Sequence, residues 1–102
     1  MAVRLETRGR SRALQALYAW DVRGTPPDLA RIAMLVWDDL AIQPDERAFA
    51  LALIQLVAAE RGEIDRELSD VTTNWRLDRL GHIERSVLRL AAAELMQGGT
   101  PP

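Results

Sequence analysis

A chain of 102 residues, 48% hydrophobic and with a net charge of −2 at pH 7, corresponds to one domain with a small hydrophobic core. The absence of cysteine excludes disulfides, thiolate metal sites and a cysteine nucleophile. The sequence contains neither an apolar run long enough to cross a membrane nor the apolar core of a secretory signal, so a cytoplasmic protein is expected.

Positive charge is concentrated at the N-terminus. Residues 1–12 hold four of the 13 arginines and one acid, Glu6, which leaves nine arginines and 14 of the 15 acids in the rest of the chain. A basic terminal segment on an acidic body indicates contact with nucleic acid, although a solvated terminus would have the same composition.

The first predicted helix spans about Ser11 to Val22 and follows a flexible Arg-rich arm over residues 1–10. Apolar residues at helical spacing predict its buried face: Ala13, Leu14, Leu17 and Trp20. Gly24 supplies the left-handed position that ends this helix. Thr25 is then predicted to cap a second helix, with Asp28 completing a capping box.

A long third helix is predicted from near Asp45 to about Val71, with a soft point at Gly62. The last helix, Asn74 to Met96, is expected to be the central strut of the fold. Its apolar residues predict one buried stripe: Leu77, Leu80, Ile83, Val87, Leu90, Ala91 and Leu95. The sequence therefore predicts an all-α domain with a helical body over residues 11–97 and a tail over residues 98–102.

Three charged residues of the last helix lie off its apolar stripe or at the edge of the stripe. Arg85 and Arg89 fall off the apolar stripe, so we expect their face to be exposed to solvent. Glu94 lies at the edge of the stripe, where a half-buried carboxylate requires a partner. A structural ion pair with an arginine of another helix is favoured over a catalytic role.

The sequence offers few residues for enzymatic chemistry. His82 is the one histidine, and beside Gly81 it is interpreted as a polar residue at a helix start rather than as a general base. No glycine-rich phosphate loop or dinucleotide fingerprint is present. No catalytic residue, cofactor or metal ligand is predicted, and a binding protein is expected.

The best candidate binding residues are N-terminal. Arg8, Arg10 and Arg12 precede and open the first helix, which also carries Gln15 and Tyr18. Guanidinium groups pair with phosphates, glutamine can hydrogen-bond a base edge, and an exposed tyrosine can stack on an unpaired base. Alternatively, Arg12 and Gln15 solvate the helix while Tyr18 packs sideways on the core.

Three segments resemble the NusB family of transcription antitermination factors. The run Arg8 to Asp21, R-G-R-S-R-A-L-Q-A-L-Y-A-W-D, is similar to the Arg-rich opening helix of that family. Leu53 to Leu68 is similar to its long middle helix, in which Ile64-Asp65 matches an I-D pair. The pattern W-x-L-D-R-L-x-x-I-x-R-x-V-L-R-L-A-x-x-E-L, from Trp75 to Leu95, resembles a later helix, and the three segments occur in the family's order and spacing.

The resemblance implies a NusB-like bundle of about five helices that lacks the last two helices of the family. It implies that the protein binds the boxA element of nascent ribosomal RNA together with ribosomal protein NusE. This complex would join RNA polymerase and suppress termination. Carried over by position, the RNA-contact candidates are Arg8, Arg10, Arg12, Gln15, Tyr18, Arg76 and Arg79.

Family members continue beyond a Pro-Pro pair like Pro101-Pro102 into helices that cover the bundle. Apolar residues such as Val87, Leu90 and Leu95 are therefore expected to be partly uncovered, and the chain is expected to self-associate as a homodimer, exchange helices or bind a partner. Two other functions remain open. One is the RNA-positioning NusB-like domain of ribosomal RNA cytosine methyltransferases, and the other is a protein–protein interaction module that binds no RNA.

Overall fold

The computed structural model describes residues 4–71 and 77–98, and this part of the chain is all-α, as predicted. Its elements are α1 (Leu5–Val22), α2 (Leu29–Asp38), α3 (Pro44–Val71), a 3₁₀ helix (Leu77–Arg79) and α4 (His82–Gly98). No helix within these two ranges is both long and apolar enough to span a membrane.

The α1–α3 pair forms the centre of the fold. Each of these helices packs against all the other α-helices, whereas α4 packs mainly against α1 and α3. The prediction that the last helix is the central strut is therefore wrong. Two buried tryptophans join α1 to its neighbours: the indole N–H of Trp20 donates to the carbonyl of Pro26 at 2.8 Å, and that of Trp37 donates to the carbonyl of Arg12 at 3.0 Å. Both large rings are thus buried without an unsatisfied donor.

Helix α1 begins at Leu5, so the prediction of a flexible arm over residues 1–10 is wrong from that residue onward. Gly9 is buried where α1 meets α3, and a methyl group on its Cα would overlap the ring of Phe49. The arginines of this turn also pair with carboxylates on other helices. Tertiary contacts therefore stabilise a helical turn that the local sequence does not predict.

The turn between α1 and α2 is a Schellman motif. Gly24 adopts φ 83°, as predicted, and the N–H groups of Gly24 and Thr25 donate to carbonyls in the last turn of α1 at 3.0 Å each. Thr25 is thereby held at the end of α1, with φ 51°, and does not cap α2. The cap is Asp28, whose side chain accepts a hydrogen bond from the N–H of Arg31 at 3.2 Å.

Helix α3 bends two residues before the predicted soft point at Gly62. Glu60 has non-helical dihedral angles, φ −107° and ψ 16°, within an otherwise continuous helix. The prediction of one long helix with a local weakness is confirmed, and only its position is corrected.

Helix α4 begins at His82, not at Asn74, and residues 74–76 lie outside the described part of the chain. The residues before it form the 3₁₀ turn. Nη1 of Arg85 donates to the carbonyls of Leu77 at 3.1 Å and Leu80 at 2.6 Å. This arginine satisfies backbone acceptors that a continuous α-helix would have used, so it stabilises the interruption.

The apolar stripe predicted for α4 is wrong over most of its length. Four of its seven members are exposed: Ile83 (59%), Val87 (44%), Leu95 (72%) and Ala91. The residues of α4 that are buried against α1 and α3 are Ser86, Arg89, Leu90 and Ala93. Helix α4 is therefore turned by about 100°, or one residue, from the orientation that its hydrophobic periodicity predicts.

A buried carboxylate on α1 explains this rotation. The Asp21 side chain, 2% exposed, accepts hydrogen bonds from His82 Nδ1 at 2.5 Å, Arg85 Nη2 at 2.6 Å and Arg89 Nη1 at 2.7 Å. Arg89 also donates through Nε to Asp65 of α3 at 2.9 Å. Because a buried charge must be paired, α4 turns its arginines inward and its apolar side chains outward. The expectation that Arg85 and Arg89 face solvent is wrong for this reason.

We expect Arg89→Met to lower the free energy of unfolding by about 3 kcal/mol, because it removes one partner from each of two carboxylates that it links. Leu95→Ala, at a position of α4 that is 72% exposed, is the matched control and should change that free energy by less than about 1 kcal/mol. Urea unfolding of both variants measures the difference. A greater loss for the Leu95 variant would contradict the observed orientation of α4.

The same cluster predicts a pH dependence of stability. Burial would raise the pKa of Asp21, but the hydrogen bonds from Arg85, His82 and Arg89 outweigh it and hold this pKa well below its ordinary range. A carboxylate with a lower pKa in the folded than in the unfolded protein stabilises the fold above the unfolded pKa of about 4. That contribution is lost as the pH falls from there through the folded pKa.

We therefore expect the free energy of unfolding to fall as the pH decreases from about 4 to about 2. Asp21→Asn should be less stable at neutral pH and should show a shallower fall over this range, because it has no carboxyl group to protonate. Urea unfolding at a series of pH values tests both points. Parallel curves for the two proteins would show that Asp21 does not contribute to the acid sensitivity.

Candidate nucleic-acid interface

Arg8 and Arg12 share one carboxylate. They lie one turn apart on α1, and their Nε atoms donate to the two carboxylate oxygens of Glu46, in the first turn of α3, at 3.0 Å and 2.7 Å. The Glu46 side chain is only 7% exposed. The hydrogen bond from Arg12 lowers the pKa of Glu46, and the bond from Arg8 adds to this effect against the opposing influence of burial.

This arrangement orients the two guanidinium groups and leaves the cluster with one net positive charge. A guanidinium has five N–H donors, so a contact through Nε leaves donors for a second acceptor. Nη1 of Arg12 already donates to Oε1 of Gln15 at 3.2 Å. Glu46 therefore fixes a pair of cations at the start of α1, with an exposed glutamine one turn further on.

Arg10 lies on a different side of α1. At about 100° per residue it is about 160° around the helix from Arg8, and it faces α4. Its Nε and Nη2 donate to the carboxylate of Glu94 at 2.9–3.0 Å. The predicted ion pair of Glu94 with an arginine of another helix is confirmed. The three candidate arginines Arg8, Arg10 and Arg12 thus form two separate groups.

Gln15 and Tyr18 lie on the exposed side of α1. The ring of Tyr18 meets His82 edge-on, with ring centroids 6.1 Å apart and planes at 89°. The alternative prediction that Tyr18 packs on the core does not hold, because it remains exposed beside a half-exposed histidine. The aromatic ring is accessible for stacking.

A groove runs between α1 and α4 beside these residues. Two adjoining cavities of about 330 Å³ and 310 Å³ share Ser11 and Leu14. The remaining lining residues of this α1–α4 groove are Thr7, Arg10, Gln15, Tyr18, Ile83, Ser86, Val87, Leu90, Ala91 and Glu94. The expectation that apolar residues of the last helix are partly uncovered is confirmed for Val87 and Leu95, whereas Leu90 is buried.

The two other candidate arginines are not joined to these groups. Arg79 is exposed on the 3₁₀ helix, and no recorded contact within residues 4–71 and 77–98 links it to the arginines of α1. Arg76 lies outside the described residues. Over the same part of the chain, no cluster of histidine and carboxylate side chains is arranged to hold a metal ion.

Sequence reasoning missed the role of Glu46. In the sequence it is one of two acids in the first turn of a helix, where acids are common because they favour the helix dipole. Nothing local distinguishes it from Asp45. Its role depends on α1 crossing α3, which brings together residues 34 and 38 positions apart.

The chain is similar to members of one protein family. The NusB family model matches residues 7–102. The transcription antitermination protein NusB of Anaeromyxobacter dehalogenans (strain 2CP-1) is 42% identical over 100 residues, which cover 93% of this chain and 66% of that protein. The proteins of the same name from Sorangium cellulosum and Leptospira biflexa (strain Patoc 1 / Ames) are 36% and 37% identical, over 86% and 88% of this chain and 61% and 63% of their own lengths.

The chain therefore spans just under two thirds of the length of these curated relatives. Their names describe antitermination proteins and no enzymatic activity. No solved structure matches the chain at a significant level. A family model that covers residues 7–102 and relatives of this identity establish that the chain belongs to the NusB family.

Proposed function

We propose that this protein is an RNA-binding transcription antitermination factor that binds the boxA element of nascent ribosomal RNA together with ribosomal protein NusE. Its further partner is the RNA polymerase antitermination complex, so it acts in the cytoplasm. The names of its relatives support the role in antitermination. The observation that carries the proposal is the pair of arginines that Glu46 holds at the start of α1, next to exposed Gln15 and Tyr18.

The geometry suits single-stranded RNA. Arg8, Arg12 and Gln15 lie within about 60° of one another around α1, and Tyr18 lies next to that sector. Two oriented guanidinium groups can bind successive phosphates, while the Gln15 amide and the Tyr18 ring contact bases. Arg10, Arg76 and Arg79 remain candidates for further phosphate contacts.

Salt dependence of RNA binding tests the arginine pair. In the triple variant Arg8→Gln/Arg12→Gln/Glu46→Gln, the buried carboxylate is removed with its partners, so no unpaired buried charge is left. We expect weaker binding of a labelled boxA RNA and a slope of log K against log salt that is shallower by about 1.4, or about 0.7 for each phosphate contact on a single strand. Fluorescence anisotropy over a salt series measures both.

Arg31→Gln is the matched control, since it removes the same net charge from an exposed position on α2. It should leave the slope unchanged. A scrambled RNA of equal length, with and without NusE, separates the remaining possibilities. Weak and equal binding of both RNAs would favour a general RNA-positioning domain. RNA affinity that does not respond to the triple variant would favour a protein–protein interaction module.

The proposal includes self-association through the α1–α4 groove in competition with RNA, because Arg10, Gln15 and Tyr18 line the same groove. The groove exposes Ile83, Val87 and neighbouring apolar side chains, and a contiguous apolar surface of this kind favours a partner. We expect analytical ultracentrifugation to show a concentration-dependent dimer that Val87→Glu abolishes without loss of helical circular dichroism. A monomer at all concentrations, with a cooperative melt and no binding of a hydrophobic dye, would refute it.

A further inference from the structure

Glu94 neutralises the charge of Arg10 completely, whereas Glu46 neutralises only one of the two charges of Arg8 and Arg12. Both carboxylate oxygens of Glu94 accept from the Arg10 guanidinium, at 2.9–3.0 Å. This pair is one cation on one anion, so its net charge is zero. The Glu46 cluster has two cations on one anion and keeps a net charge of +1. Within residues 4–71 and 77–98, Arg8 and Arg12 thus share one carboxylate, whereas Arg10 has a carboxylate to itself.

The two ion pairs also differ in accessibility. Arg10 is 46% exposed and Glu94 is 28% exposed, whereas Glu46 is almost fully buried. Both Arg10 and Glu94 line the α1–α4 groove, so an incoming ligand can reach the pair. An exposed ion pair contributes little to the stability of a protein because water and salt screen it. Its partners can therefore exchange at little cost to the fold.

We propose that Glu94 competes with RNA phosphate for Arg10 and thereby limits the RNA affinity of this surface. The inference rests on the proposed RNA-binding function. A carboxylate and a phosphate present similar paired oxygens to a guanidinium, so both bind it through the same two parallel hydrogen bonds. Glu94 also places a negative charge where a phosphate on Arg10 would lie, which adds repulsion to the competition.

As a result, only part of the positive charge on this surface is available to bind RNA phosphates. Arg8 and Arg12 are oriented by a buried carboxylate that RNA cannot displace, because Glu46 lies beneath them. Arg10 becomes available only when Glu94 releases it. Because counterion release scales with the number of phosphates bound, removing Glu94 should raise both the affinity and its salt dependence.

The test is anisotropy of a labelled boxA RNA over a salt series, with Glu94→Gln as the principal variant. We expect about threefold to tenfold tighter binding at low salt and a slope of log K against log salt that is steeper by about 0.7, which corresponds to one added phosphate contact on a single strand. The double variant Arg10→Gln/Glu94→Gln should return the slope to the wild-type value, because it removes the cation that Glu94 releases.

Glu84→Gln is the matched control. It makes the same change in net charge at an exposed position on α4, about 15 Å along the helix from Glu94 and beyond the Debye length at about 0.1 M salt. Its slope should equal that of the wild type. An equal gain in Glu84→Gln and Glu94→Gln would overturn the inference in favour of a general charge effect.

Circular dichroism and urea unfolding establish that each variant is folded. Glu94→Ala is a second variant that removes the carboxylate from Arg10 and should give the same result. Wild-type binding that depends on Arg8 and Arg12 but is unchanged by loss of Glu94 would overturn this inference and leave the proposed function intact. Wild-type binding that is independent of salt and of Arg8 and Arg12 would refute the proposed function itself.

Discussion

The fold depends on one buried carboxylate. Asp21, near the end of α1, accepts hydrogen bonds from three side chains of α4, and Arg89 continues the contact to Asp65 on α3. Three of the four α-helices in the described part of the chain therefore meet at this charged cluster. Since an unpaired buried charge costs more than the exposure of a few aliphatic side chains, this cluster fixes how α4 lies on the rest of the molecule.

The orientation of α4 in turn creates the surface that the proposals concern. With its arginines turned inward, α4 presents Ile83 and Val87 to the groove beside α1. Arg89, which bridges Asp21 and Asp65, also lies over the ring of Trp20. The guanidinium carbon of Arg89 is 5.1 Å from the centroid of that ring. Charge pairing in the interior and apolar exposure at the surface are thus two results of the same rotation.

In the candidate interface, too, the carboxylate that each arginine contacts determines whether its positive charge is available to a ligand. Arg8 and Arg12 are held by a buried glutamate and keep a net positive charge, whereas Arg10 is matched by an accessible one. A count of charges along the N-terminal segment treats the three arginines as equivalent. Their helical positions separate them, because residues two apart on a helix point to nearly opposite sides.

The sequence by itself determined the all-α class and most of the buried face of α1, because both depend on local periodicity. It also determined the left-handed cap at Gly24, which depends on local backbone conformation, and the pairing of Glu94, because a half-buried charge needs a partner. Its motifs also indicated the NusB family. Only the tertiary structure decided the start of α1, the orientation of α4 and the role of Glu46. The physical reason is that the partners of these charges are distant in sequence: Arg89 and Asp21 are 68 residues apart, and hydrophobic periodicity takes no account of a buried ion pair that forms only when the helices pack.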